Sequence, residues 1–376
     1  MERFFERRSF LKTAGLAALF RLPAYENRPA RGQDPLAPDI DSAQIRTAVQ
    51  KACTWLIRKQ NGDGSWSGHS KKGGLTALCT LALLTAGENE KSPAIMKGIE
   101  YLKRADEQYT YTASLKCQVF AAADPDRYAA ALKKAAAFLV AAQNPDGMWT
   151  YTINRGRTGD NSNTQFALLG LHEAAKGGVA IPRTVWTRSN RHFVDNQCED
   201  GGWGYQRRQR EGYGSMTAAA VASLYICGED LNVGGRKTFR DGAYPDCGQY
   251  GQNKVIAGGL EWLIRNFSVK TNPGRGSWPY YYLYALERVG MITGMRTFGR
   301  YDWYRLGATE LVGKQNDDGH WGRDPSDTAF ALLFLAKGNR PVLFQKVQWN
   351  GRWNRNIHDL EHLCAFIGDK LGKPTT

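Results

Sequence analysis

The sequence predicts an all-α protein, an (α/α)6 toroid in which twelve helices form an inner and an outer ring. Two observations support this prediction. The motif Q-x-x-D-G-x-W occurs four times, at residues 60–66, 143–149, 197–203 and 315–321. Each copy lies between an amphipathic helical pattern and a more apolar one. A repeat of this kind indicates that copies of one helical pair are stacked on each other.

The predicted outer helices end at the glutamine of the motif. In the first of them Cys53, Leu56 and Ile57 recur at the helical spacing of three and four. Asp-Gly then ends each helix, because glycine accepts positive φ and aspartate bonds nearby backbone. The outer helices are predicted at residues 48–60, 128–143, 185–197 and 306–315. The inner helices are predicted at residues 75–86, 164–175, 217–227 and 328–336, where the sequence is apolar nearly all round, as in buried helices.

Taken in order, the chain divides into four parts. Residues 1–32 contain Glu6-Arg7-Arg8-Ser9-Phe10-Leu11-Lys12, which resembles the twin-arginine export signal of bacteria, and we exclude them from the fold. Residues 33–41 are a linker that contains proline. Residues 42–338 form the toroid of about six helix pairs. Residues 339–376 are a tail with a short extended run and a helix.

Two of the six units lack the full motif. Tyr109-Thr110-Tyr111 stands where unit two should carry its loop, and Gly276-Ser277-Trp278 is the predicted loop of unit five. Residues 229–253 are rich in glycine and charge, and they are predicted to form an irregular insertion between units four and five.

The motif resembles the QW repeat of squalene–hopene cyclases, and the helix pairing is similar to that of protein prenyltransferase β subunits. The residues that carry the resemblance are Gln60, Trp66, Gln143, Trp149, Gln197, Trp203, Gln315 and Trp321. The resemblance implies a terpenoid-cyclase-like toroid in which each glutamine and tryptophan ties adjacent units together. It implies the fold more specifically than the activity, since one fold hosts many functions.

Carboxylates at the starts of two predicted inner helices are the candidate catalytic acids. The pattern D-x-S-x-T occurs at residues 160–164 and 324–328, and the candidates are Asp160, Asp324 and Asp327. In squalene–hopene cyclases a similar D-x-D-D-T motif supplies the acid that protonates the polyene from its middle aspartate. Ser326 stands at that position here, and a hydroxyl is too weak an acid for this step. The alternative interpretation is helix capping, for which Asp and Ser are both favoured.

Aromatic and hydroxyl side chains near the same helix starts are the candidate ligand-binding residues. They are Ser162, Ser326, Tyr213, Tyr280, Tyr282 and Phe330. An aromatic-lined central cavity suits isoprenoid chains or carbocations, which aromatic faces attract. Tyrosine-rich walls also suit sugars, and ordinary core packing explains many such residues.

Charge and composition limit the classes of molecule that the protein is expected to bind. The formal net charge of +14 suits contact with an anionic membrane or glycan, whereas no nucleic-acid-binding motif accompanies it. No run approaches 18 apolar residues, so no transmembrane span is predicted. No match to the zinc ligands of protein prenyltransferases is found, and we expect no metal and no cofactor. The metal-like cluster at residues 358–364 is predicted to lie on a surface helix.

These observations favour an exported repeat protein that binds an isoprenoid or lipid-like ligand in its central cavity, with cyclase-like acid chemistry if it is an enzyme. One alternative is a non-catalytic binding or scaffold module of the cell envelope, which the missing D-x-D-D motif and zinc ligands favour. The other alternative is a carbohydrate-active enzyme, a glycan lyase or hydrolase, because helical toroids also host these activities.

The export signal is directly testable. Changing both Arg7→Lys and Arg8→Lys should retain the protein in the cytoplasm, since twin-arginine recognition depends on the guanidinium pair. Cell fractionation measures the outcome, and Lys12→Arg, which leaves the pair intact, is the control. Export of the double variant at the wild-type level would remove the targeting prediction.

Overall fold

A computed structural model of the protein describes residues 40–68, 73–153, 158–232 and 254–338, all within one compact unit. These residues contain α1 (Ser42–Arg58), α2 (Gly74–Thr85), α3 (Pro93–Arg104), α4 (Thr110–Ala123), α5 (Ala129–Ala142), α6 (Asn161–Lys176), α7 (Arg183–Asp195), α8 (Gly214–Asn232), α9 (Lys254–Arg265), α10 (Pro279–Thr293), β1 (Thr297–Phe298), β2 (Tyr301–Asp302), α11 (Trp303–Lys314) and α12 (Pro325–Gly338). The strands form one short antiparallel pair.

The even-numbered helices form a closed inner ring. Each packs on the next, from α2 through α4, α6, α8 and α10 to α12, and α12 packs back on α2. The odd-numbered helices lie outside, and α1 contacts both α12 and α2. The predicted (α/α)6 toroid of twelve helices in two rings is therefore confirmed.

The motif tryptophans tie each outer helix to its inner helix. Each indole Nε1 donates to the carbonyl oxygen ten residues earlier, at Leu56, Leu139, Phe193 and Leu311, over 2.7–2.9 Å. The backbone N–H of the same tryptophans donates to a threonine hydroxyl in the following inner helix, at Thr76, Thr164, Thr217 and Thr328, over 3.1–3.2 Å. The tryptophan thus fixes the end of one helix and the start of the next.

Each of the four motif glutamines ties its own unit to the next one. Their Nε2 atoms donate to backbone carbonyls of the following outer helix, from Gln60 to Ala94, from Gln143 to Val185 and from Gln197 to Val255. The last one, Gln315, donates to the carbonyl of Ala48 in α1 over 2.9 Å. This bond joins unit six to unit one and closes the outer ring.

The glycine of the motif is required by both conformation and space. Gly147 has φ +84°, and a Cβ there would lie 2.3 Å from the carbonyl oxygen of Arg188. Gly319 has φ +101°, and its Cβ would lie 2.5 Å from the carbonyl oxygen of Lys51. Only glycine accepts this conformation at so close an approach to the neighbouring helix.

The two degenerate units are fixed by other side chains. In unit two the buried Lys116 donates from Nζ to the carbonyl of Ala105, over 2.7 Å, and pairs with Glu107. A lysine thus holds the end of α3 where a tryptophan holds the end of α1. In unit five the buried Asn272 bonds the backbone N–H and hydroxyl of Ser215. Trp278, by contrast, is 65% exposed.

Several boundaries differ from the sequence-based expectation. Helix α1 begins at Ser42, before the predicted residue 48, because Asp41 and Gln44 form a capping box there. Thr110 and Tyr111 belong to α4 instead of a loop, and α8 continues to Asn232, into the stretch predicted to be irregular. The signal (residues 1–32), nearly all of the linker and the tail lie outside the described residues.

Among the described helices, none combines the length and hydropathy that crossing a membrane requires.

The role of the motif tryptophans predicts a contrast between two substitutions. Trp203→Ala should lower the free energy of unfolding by about 3–5 kcal/mol, because the buried indole fills space between two helices and donates to Phe193. Trp278→Ala, at an exposed tryptophan, should change it by less than about 0.5 kcal/mol. Chemical denaturation measures both values, and similar losses for the two variants would refute the assigned role of the motif.

Candidate functional site

Aromatic side chains from four inner helices meet at the centre of the ring. We call this group the axial cluster: Tyr111 of α4, Phe166 of α6, Tyr281 and Tyr284 of α10, and Phe330 of α12. The ring centroid of Phe166 lies 4.4 Å from that of Tyr111 and 6.3 Å from that of Tyr281. That of Phe330 lies 5.5 Å from Tyr281 and 5.2 Å from Tyr284. Because α4 and α10 face each other across the ring, the cluster spans its centre.

A polar network crosses the same space. Nε2 of Gln165, in α6, donates to the hydroxyl of Tyr281. The Oε1 atom of Gln165 accepts from Nη2 of Arg288 over 2.7 Å. The hydroxyl of Ser162 lies 3.4 Å from that of Tyr281 and also contacts the hydroxyl of Tyr111. These bonds connect α6 to α10 across the ring.

Tyr111 and Tyr281 of the cluster have raised pKa values but are only half-buried. Burial raises the pKa of Tyr281 to about 12 and raises the pKa of Tyr111 well above its usual range. Both residues nevertheless keep accessible surface, as does Phe330, whereas Phe166 and Tyr284 are fully buried. The axial cluster therefore keeps accessible aromatic surface on Tyr111, Tyr281 and Phe330.

Asp160 is the N-cap of α6 and lies close to the axial cluster. Its two carboxylate oxygens accept from the backbone N–H and the side-chain amide of Asn163, each over 2.8 Å. Burial raises the pKa of Asp160, and the hydrogen bonds from Asn163 oppose this rise. The charge of Asp160 in turn contributes to the raised pKa of Tyr111 and Tyr281. Asp160 therefore caps its helix and also places a carboxylate close to the axial cluster.

The start of α6 is also held by His192 of α7. Its Nε2 atom bonds Oδ1 of Asn161 over 2.7 Å, and the Asn161 amide donates to the carbonyl of Gly204 over 2.9 Å. Burial lowers the pKa of His192 to about 4, so the ring is neutral at physiological pH. His192 thereby positions Asn161 next to the cap.

Asp324 and Asp327 lie at the start of α12 and are half-buried. Oδ1 of Asp324 accepts from the backbone N–H of Ser326 over 2.9 Å, and Oδ2 of Asp327 accepts from the backbone N–H of Arg323 over 3.1 Å. Burial, with a smaller contribution from the charge of Asp324, raises the pKa of Asp327. Asp324 also packs against Gly68, where a Cβ would lie 2.6 Å from its Oδ2 atom. Both carboxylates thus bond backbone amides at the start of α12, Asp324 within its first turn and Asp327 just before it.

The predicted ligand-binding residues are distributed over several places. Ser162 and Phe330 lie at the axial cluster. Tyr280 lines a small groove between α10 and α11 with Leu283 and Lys314, and Tyr282 packs on the first residue of α8. Tyr213 is buried at the start of α8, under the guanidinium of Arg275 at 5.3 Å. Ser326 is half-buried in the first turn of α12.

Six residues of the site are absent from the predicted set of ligand-binding residues. They are Tyr111, Gln165, Phe166, Tyr281, Tyr284 and Arg288. A usable signal was present in α10, because positions 281, 284 and 288 share one helix face. Within the described ranges, no three His, Cys, Asp or Glu side chains come together as a metal site. The cluster at residues 358–364 lies outside those ranges.

Exchanging Asp160 and Asn163 separates capping from chemistry. Asp160→Asn should lower the free energy of unfolding by about 1–3 kcal/mol, because its amide would face the amide of Asn163. Asp324→Asn should change it by less than about 0.5 kcal/mol, since Asn caps about as well as Asp.

The double variant Asp160→Asn, Asn163→Asp restores the donor–acceptor pair, and thermal denaturation should show recovery of most of the lost stability. If the carboxylate acts only as a cap, any bound ligand or turnover recovers as well. Recovery of stability without recovery of ligand binding or turnover would assign Asp160 a direct role at the site.

Comparison with known proteins identifies the fold more firmly than the activity. No protein-family model matches the chain. A probable squalene–hopene cyclase of Sinorhizobium fredii (strain NBRC 101917 / NGR234) is 27% identical over 216 residues, which cover 46% of this chain and 33% of that protein. The chain therefore spans about a third of the length of this curated relative.

Solved structures share the toroid at low sequence identity. A type II terpene cyclase from Scytonema, MstE, superposes with a TM-score of 0.55 and 13% identity, over 79% of this chain and 97% of that one. An α-1,6-mannanase, GH76A of Salegentibacter sp. HEL1_6, superposes with a TM-score of 0.58 and 6% identity, over 78% and 98%. The fold of this chain is a terpenoid-cyclase-like α/α toroid, an architecture that it shares with a glycoside hydrolase.

Proposed function

We propose that the protein binds an isoprenoid or another lipid-like molecule against the axial cluster. The observation that supports this most directly is the accessible aromatic surface of Tyr111, Tyr281 and Phe330 in the axial cluster, where four inner helices meet. Aromatic rings bury large apolar areas against a hydrocarbon chain, and ligand sites are typically lined by them with a few polar groups. The structure of a variant of MstE was determined with its substrate, geranylgeranyl dihydroxybenzoate, bound.

Acid chemistry at this site would use Asp160. Burial raises the pKa of Asp160, and the charge of Asp160 contributes to the raised pKa values of Tyr111 and Tyr281. However, both of its oxygens accept hydrogen bonds from Asn163, and this arrangement favours the ionised form. To protonate an alkene, however, the carboxyl group of Asp160 would have to be in its protonated form. We therefore propose ligand binding as the function and regard cyclase-like turnover as a further step that the exchange of Asp160 and Asn163 tests.

Action on a glycan is the second candidate function. Ser162, Gln165 and Tyr281 place hydroxyl and amide groups among the aromatic rings, and sugars bind through this combination of hydrogen bonds and apolar faces. The α-1,6-mannanase GH76A uses the same fold. A non-catalytic scaffold is the remaining alternative and requires no small ligand at the axis.

We further propose that the protein acts outside the cytoplasm, in the periplasm or cell envelope. Arg7 and Arg8 carry this proposal, and the net charge of +14 supports peripheral contact with an anionic membrane or glycan.

Ligand binding can be tested with two probes, geranylgeraniol and α-1,6-mannotriose. The wild-type protein should bind geranylgeraniol, as measured by native mass spectrometry and by titration calorimetry. Phe330→Ala should weaken this binding about tenfold or more, because it removes half-buried aromatic surface at the axial cluster.

Phe267→Ala is the matched control, because Phe267 is also half-buried but packs against Tyr301 outside the ring. It should leave the affinity unchanged. Binding of α-1,6-mannotriose in place of geranylgeraniol would favour the glycan alternative. Binding of neither probe would favour the scaffold.

A further inference from the structure

Arg288 is a buried cation at the centre of the ring. It is 7% exposed, and its guanidinium carbon lies 3.8 Å from the ring centroid of Tyr284 in the axial cluster. Its Nη2 atom donates to Gln165. The Nε and Nη1 atoms are buried and have no hydrogen-bond partner among the described residues. Within the described ranges, one amide oxygen and one aromatic face are the contacts of this full positive charge.

Such an arrangement is costly without a counter-charge. Removing a guanidinium from water is unfavourable unless its charge and its N–H groups are matched. A cation–π contact returns only part of this cost. Among the described residues, two donor atoms of Arg288 therefore lack a partner beside the aromatic rings of the axial cluster.

The carboxylates near Arg288 have other contacts. Asp160 accepts two hydrogen bonds from Asn163. Glu287 precedes Arg288 in the chain, but successive helical residues do not share a face. The charge of Glu287 contributes to the raised pKa of Tyr304 in α11. Among the described residues, Arg288 forms no ion pair with either carboxylate.

The guanidinium is also held in place. The Gln165 amide that accepts from Nη2 donates in turn to Tyr281. Because Gln165 lies on α6 and Arg288 on α10, the two helices fix the guanidinium between them. A fixed donor group loses little freedom when a ligand binds, and this favours affinity.

We propose that Arg288 binds the oxyanion of the ligand, a carboxylate or a phosphate, while the axial cluster binds its hydrocarbon chain. The ligand is then an acidic isoprenoid or lipid, not a neutral hydrocarbon. This inference rests on the proposed function, because it places the head group of the same ligand.

Three probes with one C20 chain test the head group: geranylgeraniol, geranylgeranoic acid and geranylgeranyl phosphate. The wild-type full-length protein should bind at least one of the two anionic probes about tenfold or more tightly than the alcohol, as expected for hydrogen bonds to a charged group. Titration calorimetry measures the three affinities. Which anion binds more tightly distinguishes a carboxylate from a phosphate ligand.

Arg288→Met removes the charge and keeps much of the side-chain volume. It should abolish the preference for the anionic probes and leave the affinity for geranylgeraniol within about threefold. Arg288→Gln serves as a second variant if the methionine variant does not fold. Arg275→Met is the matched control, since Arg275 also lies over a tyrosine ring, that of Tyr213, but is exposed. It should leave all three affinities unchanged.

The outcomes separate the two proposals. Equal binding of the alcohol and both anions by the wild-type protein would overturn the assignment of Arg288 and keep the lipid-binding function. A preference for anions that persists in Arg288→Met and Arg288→Gln would also overturn it. Binding of none of the three probes would remove the proposed function and this inference with it.

Discussion

The hydrogen bond from Gln315 to the carbonyl of Ala48 joins residues that are 267 positions apart in the chain. It repeats the bond that Gln60, Gln143 and Gln197 make to the outer helix following their own unit. The difference is that here the following helix is the first one. Closure of the outer ring therefore repeats the bond between neighbouring units, and Trp55 adds a hydrogen bond to Asp318 at the same junction. The entropic cost of closing so long a loop grows only slowly with its length.

This repetition also determines where the site can form. Each motif tryptophan bonds backward to its outer helix and forward to a threonine in the first turns of its inner helix. The inner helices therefore start at fixed positions, and the residues of their first turns meet at the centre. Lys116 shows which of these two hydrogen bonds is retained in unit two, which lacks the motif tryptophan. It supplies an N–H donor to the carbonyl of Ala105 without an indole, so the constraint is a buried donor at the end of the outer helix.

The sequence predicted the toroid well because its determinants are local and repeated four times. The site was predicted less well because its determinants are not local in the sequence and are not repeated. In the run Tyr280-Tyr281-Tyr282 every residue is aromatic, so composition does not reveal which one faces the axis. A rotation of one residue, about 100° in a helix, separates Tyr281 from both neighbours. The bond between Gln165 and Arg288 joins positions 123 residues apart, and no spacing rule reveals such a pair. Asp160 was found because a helix cap is a local feature.

Arg288 also bears on the kind of chemistry that this toroid can perform. An aromatic cavity stabilises a carbocation through the negative faces of its rings, but here the guanidinium lies over the face of Tyr284. A second positive charge about 5 Å away would be repelled by about 3 kcal/mol at an effective dielectric constant of about 20. This repulsion opposes a carbocation intermediate unless an anion neutralises the arginine first. The same guanidinium that disfavours cyclisation of a neutral polyene favours the binding of an acidic one. This balance of charges supports our proposal that the axis binds a charged lipid and does not protonate a hydrocarbon.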